Sequence, residues 1–325
     1  EFADLHSVNR GAIEALIKCG GFDALGGNRA AMVAAVDKAI DLGNQAEKDR
    51  KSGQMSFFGD GGMLGGDEDG EAVRPSFPNV QPWSESELLQ AEKETLGFFV
   101  SSHPLVKYAQ IVNYLNWPPK ADFGMFTREP ERYPQDTQIR IGCMIAAMRP
   151  VVTKAKGEKM AMLTLEDTTG KHEAVCFPRT YKEISSLLEK DTMVFINGTM
   201  DRSRDKGQII VDGAIPIDDG ASKFAAECAI FLPPASDSGL AEKLAATLKA
   251  SPGHVPIKLL VKPGCNPNAL ASVRIAKGGI MPSVELLEKI EELLSSPTAL
   301  RFTPKRPEPK KKRAWENKNS GAGAR

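Results

Sequence analysis

The chain has 325 residues, 41% hydrophobic and 26% charged, and its 42 Lys and Arg balance 42 Asp and Glu to a formal charge of +0. That length exceeds one ordinary domain, and the composition is that of a folded chain with room for real cores. Neutrality excludes a global field that would draw the whole chain to nucleic acid, so any such contact must come from local patches. Cys19, Cys143, Cys176, Cys228 and Cys265 form no C-x-x-C pair and have no histidine at ligand spacing. This argues against zinc and against a disulfide framework, and favours reduced thiols in a cytoplasmic protein. No apolar run of about 18 residues is present, so no membrane span is expected.

The chain opens Glu1-Phe2-Ala3-Asp4 without Met and enters a helical pattern almost at once, which reads as a piece of something longer. Asn9 is placed to cap a helix carrying Ile13, Leu16 and Ile17, and Cys19-Gly20-Gly21 ends it. Asn28 caps a second helix through Ala31, Val33, Val36 and Ile40. Residues 1–47 are therefore a helix-hairpin-helix segment. Residues 48–83 alternate Gly with Asp and Glu and lack the apolar area to offset chain entropy, so they read as disordered linker. One island, Gln54-Met55-Ser56-Phe57-Phe58, interrupts that linker.

Residues 84–136 read as a helical connector, opened by a capping box from Ser84 to Glu87 and broken at His103-Pro104. From 137 to 220 the period changes to two. Ile139, Ile141, Cys143 and Ile145 begin a strand, and Met160–Glu166 and His172–Phe177 follow. A helix over Arg179–Leu188 precedes two more strands, Met193–Met200 and Gln208–Ile217. Three strands, a helix and two strands is the order of an OB-fold β-barrel. Residues 221–303 mix short strands with helices as a small α+β domain, and 304–325 form a disordered basic tail containing Lys310-Lys311-Lys312-Arg313. The fold class expected is thus multi-domain α+β.

Three blocks carry a resemblance. Asn9-Arg10 with the run Glu14 to Gly26, the run Glu92 to Leu105, and Leu163 to Gly170 with Val175-Cys176-Phe177-Pro178 resemble, in this order, segments of bacterial DNA polymerase III α subunits. The resemblance implies a C-terminal fragment of such a C-family replicative polymerase, lacking the PHP, palm and thumb domains and most of the fingers. It implies DNA replication as the process, with DNA, the sliding clamp and a clamp-loader subunit as partners. No position matches the palm carboxylates that would hold Mg2+ for the parent DNA-directed polymerase. The fragment is therefore expected to be inactive as a nucleotidyltransferase alone and to need no cofactor. The alternative reading is a free-standing OB-fold protein that binds single-stranded nucleic acid.

Gln54, Met55, Ser56, Phe57 and Phe58 resemble the bacterial clamp-binding pentapeptide: a Gln amide held by hydrogen bonds and large apolar side chains filling a groove. The bland reading is an aromatic anchor for the linker. In the hairpin, the backbone N–H groups of Gly20 and Gly21 could hold a phosphate, with Lys18 and Arg29 adding charge, or the hairpin could serve packing alone. In the OB-fold, basic residues concentrate in two loops, Lys154, Lys156 and Lys159 in one and Arg202, Arg204 and Lys206 in the other. Phe177 and Tyr181 are the candidate stacking rings beside them. This pattern fits weak, salt-sensitive, sequence-tolerant binding of a single strand. Solvated loop lysines are the bland alternative.

Overall fold

The structure, a computed structural model, describes residues 8–51, 77–154, 156–203, 207–233, 238–261, 270–275, 278–296 and 298–307. It divides into two compact units, Glu1–Pro104 and Leu105–Arg325.

In the first unit, α1 (Arg10–Lys18) starts where Asn9 accepts a hydrogen bond from the Ala12 N–H at 2.8 Å. It ends in a left-handed turn: Gly20 has φ 86°, and the N–H groups of Gly20 and Gly21 return to the carbonyls of Ile17 and Leu16. A 3-10 turn, Asp23–Leu25, leads to α2 (Arg29–Lys51), which Asn28 caps through the Ala31 N–H. The third helix, α3 (Glu85–Leu96), carries the expected reciprocal capping box between Ser84 and Glu87. Among the described residues its apolar cluster is small: Ile17, Met32 and Val36, with Ile13, Phe22, Val33, Ile40 and Phe77 packed against them.

Both ends of the span read as linker are folded. Helix α2 runs on to Lys51, because Lys48, Arg50 and Lys51 are good helix formers. At the other end Phe77 joins the core and the Val80 carbonyl accepts from the Asn28 amide at 3.0 Å. The division at Pro104 also falls inside the segment read as one connector, leaving α3 in the first unit.

The second unit begins with α4 (Ala109–Leu115) and α5 (Phe123–Arg128). A closed barrel follows: β1 (Gln138–Val152), β2 (Lys159–Glu166), β3 (Lys171–Cys176), helix α6 (Pro178–Ile184), β4 (Met193–Asp201) and β5 (Gln208–Pro216). The strands close in the order β1-β2-β3-β5-β4. Strand β1 is long enough to pair twice, with β4 over Gln138–Met144 and with β2 over Met144–Val152, bending at an irregularity between Ile145 and Ala147. Inward positions Ile139, Ile141, Cys143, Ile145, Leu163, Leu165 and Ile196 are all buried, as period-two patterning requires. The rings of Phe123, Phe126 and Tyr133 join that core beside His172, which stacks on Phe123 with centroids 5.8 Å apart.

Beyond the barrel run α7 (Ile217–Phe224), β6 (Ala225–Leu232), α8 (Ser238–Lys249), β7 (Pro252–Gly253), β8 (Ile257–Val261), β9 (Ala271–Arg274), β10 (Gly279–Ile280), α9 (Val284–Leu294) and β11 (Leu300–Pro304). A four-stranded sheet has the order β11-β6-β8-β9, with β6 and β8 parallel. This part shares one apolar core with its neighbours: Phe195 of the barrel and Leu105, Ile111 and Leu115 before it pack with Phe224, Ile230, Ile257, Ile290 and Phe302. Arg140 reinforces the junction. Its buried guanidinium donates to the carbonyls of Leu115 (2.8 Å) and Lys305 (2.7 Å) and lies 4.3 Å from the Phe224 ring centroid. Burial pulls its pKa down to about 10. Lys305, read as part of a loose tail over 304–325, is fixed there, its N–H donating to the Phe224 carbonyl at 2.7 Å. The chain is a multi-domain α+β fold built around an OB barrel.

Candidate nucleic-acid interface

Directly paired residues on neighbouring strands share a face of the sheet. The register therefore assembles the outer face of β1, β2 and β3 in rows: Arg149 opposite Met162 opposite Val175, Ala147 opposite Thr164 opposite Glu173, and Val151 opposite Met160. The result is a patch of Met and Val bordered on one side by Arg149 and on the other by the row of Ala147, Thr164 and Glu173. Lys159 is exposed at the start of β2, paired with Val152.

The β1–β2 connection places Lys154 and Lys156 in solvent. It is a closed turn: the Gly157 N–H donates to the Thr153 carbonyl, and the Thr153 N–H donates to that of Glu158, each at 2.9 Å. Phe177, 39% exposed, lies at the start of α6. It shares a shallow depression with Glu158, Pro178, Arg179, Lys182 and Glu183. Lys182 is ion-paired with Glu158 at 3.3 Å. Tyr181, the other candidate ring, packs instead against the barrel core. Arg149 and Arg179 went unremarked in the sequence. Simple alternation from Ile145 would put Arg149 on the buried face, and only the irregularity between Ile145 and Ala147 turns it outward. Arg179 follows Phe177-Pro178 directly, so the signal for that residue alone was present.

At the opposite end of the face, the β4–β5 connection differs from expectation. Arg202 is not a free phosphate ligand: its guanidinium donates to the carbonyls of Tyr133 (3.0 Å) and Phe126 (3.1 Å), tying the α5 segment to the barrel. A carbonyl pair in a partly buried place outcompetes water for a guanidinium. Arg204 and Lys206 lie outside the described residues. Burial first, and the Arg202 charge second, lower the pKa of His172.

The hairpin also corrects the sequence reading. The Gly20 and Gly21 N–H groups are spent on closing α1, so they are not offered to a phosphate. Arg29 is likewise committed, donating to Asp23 at 2.7 Å and 2.9 Å, to Glu92 at 2.9 Å and to the Lys18 carbonyl at 3.1 Å. A side chain on Gly20 would collide with that guanidinium, so glycine is required by contact as well as by backbone angle. Glu92, fully buried, also accepts from the N–H groups of Val100 (2.7 Å) and Ser101 (2.9 Å) and from the Ser101 hydroxyl. Burial alone would raise its carboxyl, but the bonds from Ser101, Arg29 and Val100 outweigh it and hold the pKa at about 2. Of the hairpin positions singled out, only the Lys18 ammonium remains for solvent or a ligand. Gln54, Met55, Ser56, Phe57 and Phe58 lie outside the described residues.

Among the described residues no three His, Cys, Asp or Glu side chains are grouped to hold a metal ion, and no helix is long and apolar enough to cross a membrane. Residues 144–217, from the bend of β1 to the end of β5, match the OB-fold nucleic acid binding domain family. The DNA polymerase III subunit alpha of Haemophilus influenzae is 28% identical over 299 residues, covering 90% of this chain and 24% of that protein. The Escherichia coli K12 protein of the same name is 28% identical over 302 residues with the same coverage. That of Bacillus subtilis is 30% identical over 213 residues, 66% of this chain and 17% of the relative. The relatives of this chain are bacterial DNA polymerase III α subunits. It spans about a quarter of the length of the first two. The similarity runs through the hairpin unit and the barrel alike, since nine-tenths of the chain is covered.

Proposed function

We propose that this chain acts in bacterial DNA replication as the template-contacting and clamp-tethering portion of a DNA polymerase III α subunit. The observation that carries the reading is continuous similarity to α subunits over 90% of the chain, with an OB barrel inside it. In the proposal, a single strand crosses the outer face of β1–β3. Its phosphates meet Lys154, Lys156, Lys159, Arg149 and Arg179, and a base meets the exposed edge of Phe177. Because the rest of the face is Met, Val, Ala and Thr with the Glu173 carboxylate among them, contact is weak and indifferent to sequence. Lys18 adds a charge from the hairpin, where a duplex would be met through its backbone alone. The residues named for the face are positioning and binding groups; nucleotide transfer belongs to other parts of an α subunit.

Gln54–Phe58 supplies the tether. A short extended peptide needs only modest affinity, because linkage to a DNA-bound partner converts rebinding into an intramolecular event. Domain boundaries follow the sequence reading, with the amended linker ends, and the region after the barrel is the surface offered to a clamp-loader subunit. The test is binding of the whole chain to a purified bacterial sliding clamp beside the Phe57→Ala/Phe58→Ala variant, with single-strand binding measured on both. The expected result is clamp binding abolished in the variant and single-strand binding unchanged. Equal loss of both activities, or no clamp binding by the parent chain, would overturn the tether.

A further inference from the structure

A second feature of the barrel unit borders the β2–β3 turn. A cleft of about 750 Å³ opens between α4, the Asn116–Asp122 loop, the β2–β3 turn and the start of β11. Gly142 of β1 forms part of its wall, where a β-carbon would meet Val112 at 2.6 Å, so a larger residue would push α4 off the barrel. The volume lies within the range of small-ligand sites.

The polar groups around the cleft sort by sign. Its two carboxylates are satisfied within the protein. Asp167 accepts from the N–H groups of Phe123 (2.8 Å), Thr169 (2.7 Å) and Gly170 (3.0 Å) and from the Thr169 hydroxyl (2.6 Å). Asp122 accepts from the Met125 N–H at 2.6 Å and the Thr169 hydroxyl at 3.3 Å, with Arg128 at 4.0 Å. The cations are not neutralised in this way. Lys120 and Arg301 line the cleft, both exposed, and among the described residues neither is in an ion pair. Arg306, two residues beyond β11, lies over the ring of Trp117 at 5.9 Å, and Trp117 belongs to the loop whose neighbouring residues form the cleft wall. Lys305 is otherwise engaged, donating to the Lys223 carbonyl at 3.0 Å. Among the described residues no carboxylate pairs with these three cations. Lys120 and Arg301 line the cleft, Arg301 also lying over the Phe231 ring at 5.8 Å. Arg306 sits on the half-buried Trp117 indole next to the lining residue Asn116, with the exposed Asn113 and Thr168 in the same wall.

We propose that this cleft is a second contact for single-stranded DNA, holding phosphates on Lys120, Arg301 and Arg306 and a base on the Arg306–Trp117 stack. Unpaired cations with a stacking plane are what a polyanion with flat bases recognises, since a guanidinium over an indole presents a surface for a base. The site extends the barrel's binding path past the β2–β3 turn. A strand reaching it from Lys159 would travel along β2, eight residues or about 26 Å at strand spacing. The inference rests on the single-strand reading given above.

The test is a titration of the full chain with a labelled oligothymidylate of about 16 nucleotides, the upper OB site size. It compares the parent with Lys120→Ala/Arg301→Ala/Arg306→Ala over a range of salt. The expected result is roughly tenfold weaker binding and a log–log salt slope shallower by about 2, from three phosphate contacts at about 0.7 each. Binding by the variant equal to the parent in affinity and slope would overturn the cleft while leaving the β1–β3 face standing. No binding by the parent would overturn the functional reading itself. A second measurement does not depend on the variant's folding: Trp117 emission in a Trp83→Phe/Trp315→Phe chain. Quenching that saturates with the strand supports the site, and constant emission at saturating strand overturns it.

Discussion

The two units bury arginine in opposite ways. In the hairpin unit Arg29 is matched to carboxylates, Asp23 and the fully buried Glu92, and this node sits beside a cluster whose buried members, among the described residues, are Ile17, Met32 and Val36. In the barrel unit Arg140 meets carbonyls and an aromatic face, with no carboxylate bridging it among the described residues, and it decorates a large apolar core. The first arrangement makes charge pairing the main fastening of the element. The second makes it a local tie between layers that hydrophobic burial already holds.

The largest difference is expected on removing one partner of each. Glu92→Ala leaves Arg29 only the half-exposed Asp23 as a carboxylate partner and leaves two backbone N–H groups without their acceptor, and should cost the hairpin unit about 3 kcal/mol. Hydrogen exchange checks this: amides of α1–α3 lose protection while those of the barrel keep theirs. Arg140→Met removes a charge and leaves two carbonyls, one of them at the α4 end, so about 2 kcal/mol is expected. A urea midpoint shift for the second unit measures it. A loss from Arg140→Met exceeding that from Glu92→Ala would reverse the comparison.

Acid separates the units more gently. Glu92, held at about 2, contributes stability that is complete above its unfolded value and is lost as pH falls through its folded one. Its window therefore lies below about pH 4.3. His172, depressed by burial, acts earlier: the unfolded chain takes up a proton first as pH drops below about 6.5, so the barrel weakens from there. Thermal unfolding between neutral pH and pH 5 should lower the barrel transition and spare the hairpin unit, and His172→Leu should flatten that response. An equal acid response in the variant would remove His172 from the account.

The sequence was most informative where one period governed a whole element. The alternation through Ile139–Ile145, the capping box at Ser84 and the strand–helix–strand order around α6 were all readable, because each depends on neighbours in the chain. Arg29 and Arg202 were misread for a shared reason. A charged residue next to a glycine hairpin or loop looks solvated until the distant partners, Glu92 in one case and the Phe126 and Tyr133 carbonyls in the other, are brought to it. The docking of Phe77 and the pairing of β6 with β8 and β11 are long-range in the same sense. Strand β6, Ala-rich and only half buried, carries no alternation to announce it. On the barrel face, the basic loop was legible but Arg149 was not, because its role depends on which strand lies opposite.

The central claim, that the barrel's outer face holds a single strand, is tested most directly by the salt dependence of oligothymidylate binding to the chain and its Lys154→Ala/Lys156→Ala/Lys159→Ala variant. Micromolar-range affinity that falls with salt, and a slope shallower by about 2 in the variant, is the predicted result. Binding whose salt slope is the same in both chains would contradict it and move the strand to another surface.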